Sequence, residues 1–363
     1  MQEISDVLKR RKKTHTISVG NVLIGGNAPI SVQSMTNTDP HNVYATVGQI
    51  KKLAGAGCDI VRVAVPDEAT VEAMRKIVRT SPIPIIADIH FNDKLAIKSI
   101  EAGVHGIRIN PGTIGGKKRF ADVLMCAKDY GIAVRIGINA GSLEKDILRA
   151  YMHPSAEALV ESALRAVEEA ERLGCINIKL SLKSSNVLTT IKGYRLLSRK
   201  IRYPLHIGIT EAGTLISGTV KSAVGLGILL AEGIGDTMRV SLAADPVHEV
   251  RVAYEILRCL GLRIRGPEII ACPTCGRKKI DVVRIASAIE RRCSHVDVPI
   301  KIAVMGCEVN GPGEAKEADI GLAGSLKGGV IFKKGIIVKR CTHDRMLNEF
   351  MNEIRAYYQG GHS

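Results

Sequence analysis

Cys272-Pro-Thr-Cys275 and Cys307, the latter within MGCEVNGPGEA, are the residues of this 363-residue chain whose type and spacing point most directly to chemistry. Two thiolates at C-x2-C spacing, with a third cysteine on a glycine-rich turn, can hold either zinc or an iron-sulfur cluster. A structural zinc would want four ligands and could take Cys293. The sequence has no second C-x2-C and no H-x3-H, so an iron-sulfur centre is the better match. The NGPGE turn would also let backbone amides approach the sulfides of a cluster and tune its potential. The radical-type C-x3-C-x2-C pattern is absent. Cys58, Cys126, Cys175 and Cys259 stand alone in apolar or helical surroundings, and Cys293 and Cys341 read as ordinary buried thiols. Nine cysteines, five of them in the last quarter, argue for metal or redox work and against a disulfide framework.

A second set of polar residues recurs at one place in each of several β-branched runs, near the carboxyl end. The set comprises Arg62; Asp88, His90 and Asn92; Arg108 and Asn110; Arg135 and Asn139; Lys179, Ser181 and Lys183; His206, Thr210 and Glu211; and Arg239 and Ser241. If these ends converge on one mouth, the cations repel one another unless an anion neutralises them, and arginine suits phosphate because its fork binds in pairs. The expected guest is a polyanion, a diphosphate in particular. The competing reading is a set of ordinary interior ion pairs with Asp88 or Glu211, but cations clearly exceed carboxylates here. Glu211, directly after the HIGIT run, could hold or donate a proton, or simply satisfy a helix N-terminus. His90 and His206 could be proton donors or hydrogen-bonded walls.

The elements that would position these residues alternate strictly. Runs of strand type begin near Ile30, Cys58, Pro84, Val104, Ala133, Ile176, Leu205 and Asp236, and amphipathic helical stretches separate them. Strict alternation implies parallel strands, and eight units over roughly 230 residues predict a (β/α)8 TIM-type barrel, with a doubly wound open sheet as the alternative. Barrel active sites gather at the carboxyl ends of the strands, where the polar set lies. Gly266-Pro267 breaks the pattern, so the expected domains are 1–264, a diphosphate-binding barrel, and 265–363, a small α+β domain. Its expected strands are EIIACP, IKIAVMG and GVIFKKGIIVKR, with helices near Val282–Arg292 and Asp344–Tyr358.

Composition narrows the partners. Hydrophobic residues make up 45% and charged residues 24%, which excludes disorder; aromatics make up only 3% and Trp is absent. The net charge of +15 favours anionic partners. Nucleic acid is not expected, because the aromatics that stack on bases are scarce and the basic run Lys9–Lys13 reads as a solvated arm. NPGTIGG and GIGD resemble phosphate-cradling loops, but neither GxxxxGK[ST] nor a strand-following GxGxxG is present. The charged N-terminal stretch is not of signal-peptide type, and Ser222–Ala231 is too short to span a bilayer, so the expected location is the cytoplasm, with no membrane partner.

SVQSMTNTDP, DIHF, RINPG, GITEAGT, ACPTCGR and MGCEVNGPGEA together closely resemble the 4-hydroxy-3-methylbut-2-en-1-yl diphosphate synthase family, in its compact two-domain bacterial form. The resemblance covers nearly the whole chain. It implies a barrel followed by a 4Fe-4S domain of the sulfite and nitrite reductase kind, with Cys272, Cys275, Cys307 and Glu314 as cluster ligands. It implies a two-electron reductive ring opening and dehydroxylation of 2-C-methyl-D-erythritol 2,4-cyclodiphosphate, a step of non-mevalonate isoprenoid biosynthesis. Glu211 would then be the catalytic acid. Arg62, Asp88, His90, Arg108, Asn110, Arg135, Asn139, Lys179, Ser181, His206, Arg239 and Ser241 would bind substrate. Flavodoxin or ferredoxin, both acidic, would be the electron carrier.

The family solution is a head-to-tail homodimer with shared sites. A cluster domain joined after the last barrel helix starts on the amino-terminal side of the strands, and a short linker near Gly266 would not carry it over its own mouth. Two other readings stand beside this one: a phosphate-binding barrel lyase or pterin-type transferase with a structural zinc domain, and a basic nucleic-acid-binding protein.

Overall fold

The computed structural model describes residues 7–308 and 315–359. The chain divides into two compact units, residues 1–263 and 264–363.

The first unit opens with an antiparallel hairpin, β1 (Ile17–Val19) and β2 (Val22–Ile24). Eight parallel strands follow: β3 (Ser31–Met35), β4 (Ile60–Ala64), β5 (Ile85–Asp88), β6 (Gly106–Ile109), β7 (Ala133–Asn139), β8 (Ile178–Lys183), β9 (His206–Ile207) and β10 (Thr237–Met238). They form one sheet in the order β8-β7-β6-β5-β4-β3-β10-β9, and a parallel bridge between Leu180 and Leu205 brings its two ends together as a (β/α)8 barrel. The last two strands are shorter than the HIGIT and DTMRVSL runs suggest. Beyond Ile207 the backbone leaves the regular ladder, and Thr210 N donates across to Ser184 O.

The helices are α1 (Val43–Gly55), α2 (Glu68–Thr80), α3 (Asp93–Glu101), α4 (Lys117–Asp129), α5 (Lys145–Tyr151), α6 (Ala156–Arg172), α7 (Val187–Lys200), α8 (Leu215–Ala231) and α9 (Pro246–Cys259). Local chemistry starts most of them. Asn42, Asp67, Asn92, Ser155, Asn186 and Asp245 each accept a first-turn N–H, which satisfies donors that a helix start otherwise leaves unpaired. Asn92, read from sequence as part of the polar set at the strand ends, is therefore a helix cap: its oxygen is taken by the N–H groups of Lys94 and Leu95.

Side chains alternate across each strand, so one parity faces the helices and the other the barrel interior. Val61, Val63, Ile85, Ile107, Ile109, Val134, Ile136, Leu180 and Leu182 pack with helix residues in one continuous core. The other parity is layered. Ile60, Ile86 and Ala133 pack against Ile17, Val19 and Ile24 of the hairpin, which plugs the amino-terminal end with apolar residues. The basic run also lies at this end and is not a free arm: Arg11 donates to Gly26 O and Ala28 O, and Lys12 Nζ to Ile201 O.

The second unit is a five-stranded sheet in the order β11-β12-β13-β14-β15 (Pro267–Ala271, Ile300–Met305, Ile320–Ser325, Gly328–Lys333, Ile336–Cys341). The first three strands are parallel and the last two antiparallel. Helices α10 (Val282–Arg292) and α11 (Met346–Gln359) close a core of Val282, Ile285 and Ile289 with Ile302, Leu322, Ile331, Phe350 and Ile354. Strand β13, IGLAGS, was not anticipated: its glycines, alanine and serine mute the β-branched signal.

Candidate active site

The sequence-nominated residues on β4 to β8 share the inward parity, and the strand register sets four of them in one row. Asp88 lies opposite Arg108, Arg108 opposite Arg135, and Arg135 opposite Lys179. One inward step higher Gly137 pairs with Ser181, and two steps higher Asn139 pairs with Lys183. A Cβ on Gly137 would stand 2.8 Å from Arg108 Nε and 3.3 Å from Ser181 Oγ, so glycine is what lets the guanidinium lie flat across the barrel.

Asp88 is the hub of one side. Its carboxylate faces Arg62 Nε at 3.6 Å, Arg108 Nη1 at 3.6 Å and His90 Nε2 at 3.2 Å. Burial alone would raise its pKa; Arg62, the His90 hydrogen bond, Arg108 and Arg135 together hold it well below the usual carboxylate range. Glu249 of α9 is the hub of the other side. It accepts from Arg239 Nη2 and Nε at 2.9 and 3.1 Å, from Ser34 Oγ at 2.8 Å and from Leu242 N at 3.1 Å. Met35 Sδ lies between the two groups, 3.0 Å from Arg62 Nη2 and 3.8 Å from Arg239 Nη1.

Two carboxylates do not balance the cations. Arg62, Arg108, Arg135, Lys179 and Lys183 are all buried, and Arg239 is half-buried. Burial pulls the Arg62 guanidinium down to about 10 despite Asp88, and it pulls Arg135, flanked by Arg62 and Arg108, well below the ordinary value. Burial, reinforced by Arg135, brings Lys179 down to about 7. Lys183 is pulled well below the ordinary lysine value by burial and then by Arg135, Arg62, Arg239 and Arg108. His206, 3.4 Å from Lys183 Nζ and from Thr237 Oγ1, is held neutral by burial and by Lys183, Arg135 and Lys179. Burial first and neighbouring cations second disfavour these charges, so a negative guest would restore the charged forms.

Hydrogen-bond accounting points the same way. Among the described residues, Arg108 Nε, Arg135 Nε, Lys179 Nζ, Ser181 Oγ, Gln33 Nε2 and Ser31 Oγ are buried without a hydrogen-bond partner. Asp88 Oδ1 is a seventh such atom, and buried polar groups are otherwise almost always paired, so these inward-facing atoms, mostly donors, mark a place where a polar ligand completes them. Gln33, Ser31, Ser34 and Glu249 were not nominated from sequence. Glu249 left one signal: it is an acid on the buried stripe of its helix, beside Pro246, Val250 and Ala253.

Other nominated residues hold different positions. Asn110 shapes a loop, since its oxygen accepts from Gly112 N at 2.9 Å and its amide donates to Ser142 Oγ at 2.6 Å. Asn139 and Ser241 are half-buried near the carboxyl ends of β7 and β10. His90 is half-exposed above Asp88, whereas His206 is a buried wall. Glu211 is exposed on the loop before α8, with φ at +51°, a left-handed conformation that costs a non-glycine residue about 1 kcal/mol.

In the second unit Cys272 follows β11 and Cys307 follows β12, neighbouring parallel strands, so both stand at the same end of the sheet. Gly306 N donates to Cys272 Sγ at 3.2 Å, and a Cβ on Gly306 would press within 3.4 Å of that sulfur. Cys275, exposed, is reached through Thr274, whose φ is +62°. Hydrogen bonding from Arg277 lowers the Cys275 pKa and favours the thiolate. All nine cysteines are free thiols. Among the described residues no three His, Cys, Asp or Glu side chains stand close enough to hold a metal ion, and Glu314 lies outside the described residues. The donors present, free thiols at one sheet end with one already accepting a backbone N–H, fit a thiolate-held centre in their chemistry.

The chain matches the family described as GcpE TIM-barrel domain over residues 14–254 and that described as GcpE protein C-terminal domain over residues 268–356. It is 59% identical to 4-hydroxy-3-methylbut-2-en-1-yl diphosphate synthase (flavodoxin) of Caldanaerobacter subterraneus subsp. tengcongensis, over 96% of this chain and 98% of that protein. It is 55% identical to the protein of the same name from Geobacter sulfurreducens, over 95% and 98% respectively. Among solved structures, dihydropteroate synthase from Xanthomonas albilineans aligns with a TM-score of 0.48 at 15% identity, over 68% of this chain and 97% of that one. With both domains matched in order and relatives this similar along nearly their whole length, the chain belongs to the 4-hydroxy-3-methylbut-2-en-1-yl diphosphate synthase family.

Proposed function

We propose that this protein converts 2-C-methyl-D-erythritol 2,4-cyclodiphosphate to 4-hydroxy-3-methylbut-2-enyl diphosphate, with electrons from a flavodoxin-type carrier. The observation that carries the reading is the row Arg108, Arg135 and Lys179, whose unpartnered donors face the interior beside Arg62 and Lys183. In this reading Arg62, Arg108, Arg135, Lys179, Lys183 and Arg239 receive the cyclic diphosphate, whose charge restores the cations that burial disfavours. Asp88 fixes Arg62 and Arg108, Glu249 fixes Arg239, and Ser181 and Gln33 complete the hydrogen bonds of the guest. Glu211, on its strained loop, delivers the proton to the departing hydroxyl, which leaves as water. His206, held neutral, serves as a hydrogen-bonding wall, and His90 borders the same space.

A 4Fe-4S cluster held by Cys272, Cys275, Cys307 and Glu314 would supply the two electrons that the ring opening consumes. As a harder and weaker iron ligand than thiolate, the Glu314 carboxylate would be the most exchangeable of the four. We propose a homodimer in which the cluster unit of one subunit serves the barrel of the other. Mixing Cys307→Ser chains with Glu211→Ala chains should then recover activity through the one site with both halves intact. We place the enzyme in the cytoplasm; no helix among the described residues is long and apolar enough to cross a membrane.

The alternative with a structural zinc domain predicts colourless protein with one zinc per chain. Anaerobic purification should instead give brown protein with the iron of one 4Fe-4S cluster per chain. That protein should turn over the cyclodiphosphate with a chemical reductant. Colourless zinc protein, or brown protein inert toward the cyclodiphosphate, would overturn the reading.

A further inference from the structure

The turn that carries Cys275 runs directly into a basic surface. Lys278 N donates to Cys275 O at 3.1 Å, and Arg277, Lys278 and Lys279 are all exposed, as is Arg284 in the first turn of α10. Several other cations of this unit are matched by acids: Lys333 by Glu353 at 2.8 Å, Lys339 by Glu349 at 2.5 Å, and Arg265 by Asp297 at 2.7 Å. Among the described residues, Lys278, Lys279 and Arg284 form no ion pair.

Between these three residues and the start of α11 lies a cleft of about 610 Å³, with Ile280, Ile285, Met346 and Leu347 among its lining residues. Its two acids are turned to local work. Asp281 caps α10 by accepting from Arg284 N at 3.0 Å, and Asp344 accepts from Thr342 Oγ1. The result is a concave surface of mixed character, apolar at Ile280, Ile285, Met346 and Leu347, on which three cations outnumber two acids, and it begins three residues after an exposed cysteine of the C-x2-C turn.

We infer that this cleft is the docking surface for the acidic electron-carrier protein, an inference that rests on the function proposed above. A carrier must bring its own redox group close to the receiving centre, so its footprint must include the surface beside the ligand turn. Charge supplies the selectivity. An excess of cations steers an acidic partner into register and raises the rate of encounter, while the four apolar residues of the cleft add contact once water is displaced. None of Lys278, Lys279 and Arg284 belongs to the substrate-binding set or the proposed ligands, and substituting their side chains keeps the backbone hydrogen bonds by which Lys278 N meets Cys275 O and Lys279 N meets Gly306 O.

The test is the triple reversal Lys278→Glu, Lys279→Glu and Arg284→Glu, with the neutral triple Gln variant beside it. The first readout is binding. The dissociation constant for a purified bacterial flavodoxin, measured by calorimetry at low and high salt, should rise about tenfold or more at low salt, and the gap should narrow as salt screens the cations. Carbodiimide cross-linking of the unaltered protein to flavodoxin should join carboxylates of the carrier to Lys278 or Lys279. The second readout is turnover. Flavodoxin-supported kcat/KM should fall by a similar factor in the reversal variant, while turnover with a small-molecule reductant stays unchanged. An unchanged dissociation constant, cross-links confined to other lysines, or an equal fall with both reductants would overturn the inference. Loss of reductant-driven turnover in the unaltered protein would instead overturn the proposed function, and flavodoxin binding would still be measurable.

Discussion

Glu249→Ala isolates what the second anionic hub of the barrel does. Glu249 is 2% exposed and accepts four hydrogen bonds, two from Arg239, one from Ser34 Oγ and one from Leu242 N. Alanine removes all four acceptor contacts, strands a guanidinium beside Met35, and leaves the other cations of the mouth without that compensation. Breaking a buried ion pair from one side costs about 3–5 kcal/mol. At about 2–4 °C per kcal/mol for a unit of this size, the expected loss is roughly 6–20 °C in the unfolding midpoint of the barrel. Glu249→Gln keeps the volume and one acceptor oxygen and should lose less. The substrate effect should appear mainly in KM, because an unanchored Arg239 weakens the binding of ground state and transition state alike. Scanning calorimetry of the ligand-free protein checks the first expectation and steady-state kinetics the second. A Glu249→Ala midpoint within 2 °C of the unaltered protein would refute the account of Glu249 as a carrier of buried charge balance.

Three further outcomes follow from the same geometry. Lys179 has a folded-state pKa of about 7 against an ordinary value of 10.5, so between these pH values the unfolded chain binds more protons and stability rises with pH, by up to about 1.4 kcal/mol per unit. Urea unfolding at pH 7.5, 8.5 and 9.5 should show that slope reduced in Lys179→Met; equal slopes would refute the assignment. Gly137→Ala should displace Arg108, since the new methyl would lie 2.8 Å from its Nε; a several-fold rise in KM with the fold intact by circular dichroism is expected, and unaltered kinetics would count against the close approach. Glu211→Gly should cost no stability, because glycine relieves the left-handed backbone, yet turnover should fall by about 10² or more. Retained turnover would remove Glu211 from the acid role.

Much of the fold was legible because its signals are local. A βα unit declares itself by a buried run, a capping Asn, Asp or Ser, and a helical stripe, and the eight runs from Ile30 to Asp236 each contain an observed strand. The inward row was legible for a related reason: a charged residue within a β-branched run, such as Arg135 in AVRIGIN or Lys179 in INIKLSL, breaks the local pattern. Two local signals misled. Asn92 sits past a strand end but belongs to the next helix as its cap, and in the Lys9–Lys13 run the side chains of Arg11 and Lys12 are bound at the plugged end of the barrel while Lys9, Arg10 and Lys13 stay solvated. Strand β13 escaped because glycine and alanine carry little strand signal, and its pairing with β12 and β14 supplies what propensity lacks.

The sequence by itself determined which residues carry charge and thiol, the period that sends Arg108, Arg135 and Lys179 to one face of their strands, and the motifs that mark the family. Tertiary structure decided which charges are answered. That Asp88 holds Arg62 and Arg108, that Glu249 crosses from a helix to hold Arg239, and that Gly137 leaves room for a guanidinium all depend on strand register and barrel closure. The physical reason is that periodicity and capping act over a few residues along the chain. Charge compensation and close approach act over a few ångströms of space, between residues as far apart in sequence as Ser34 and Glu249.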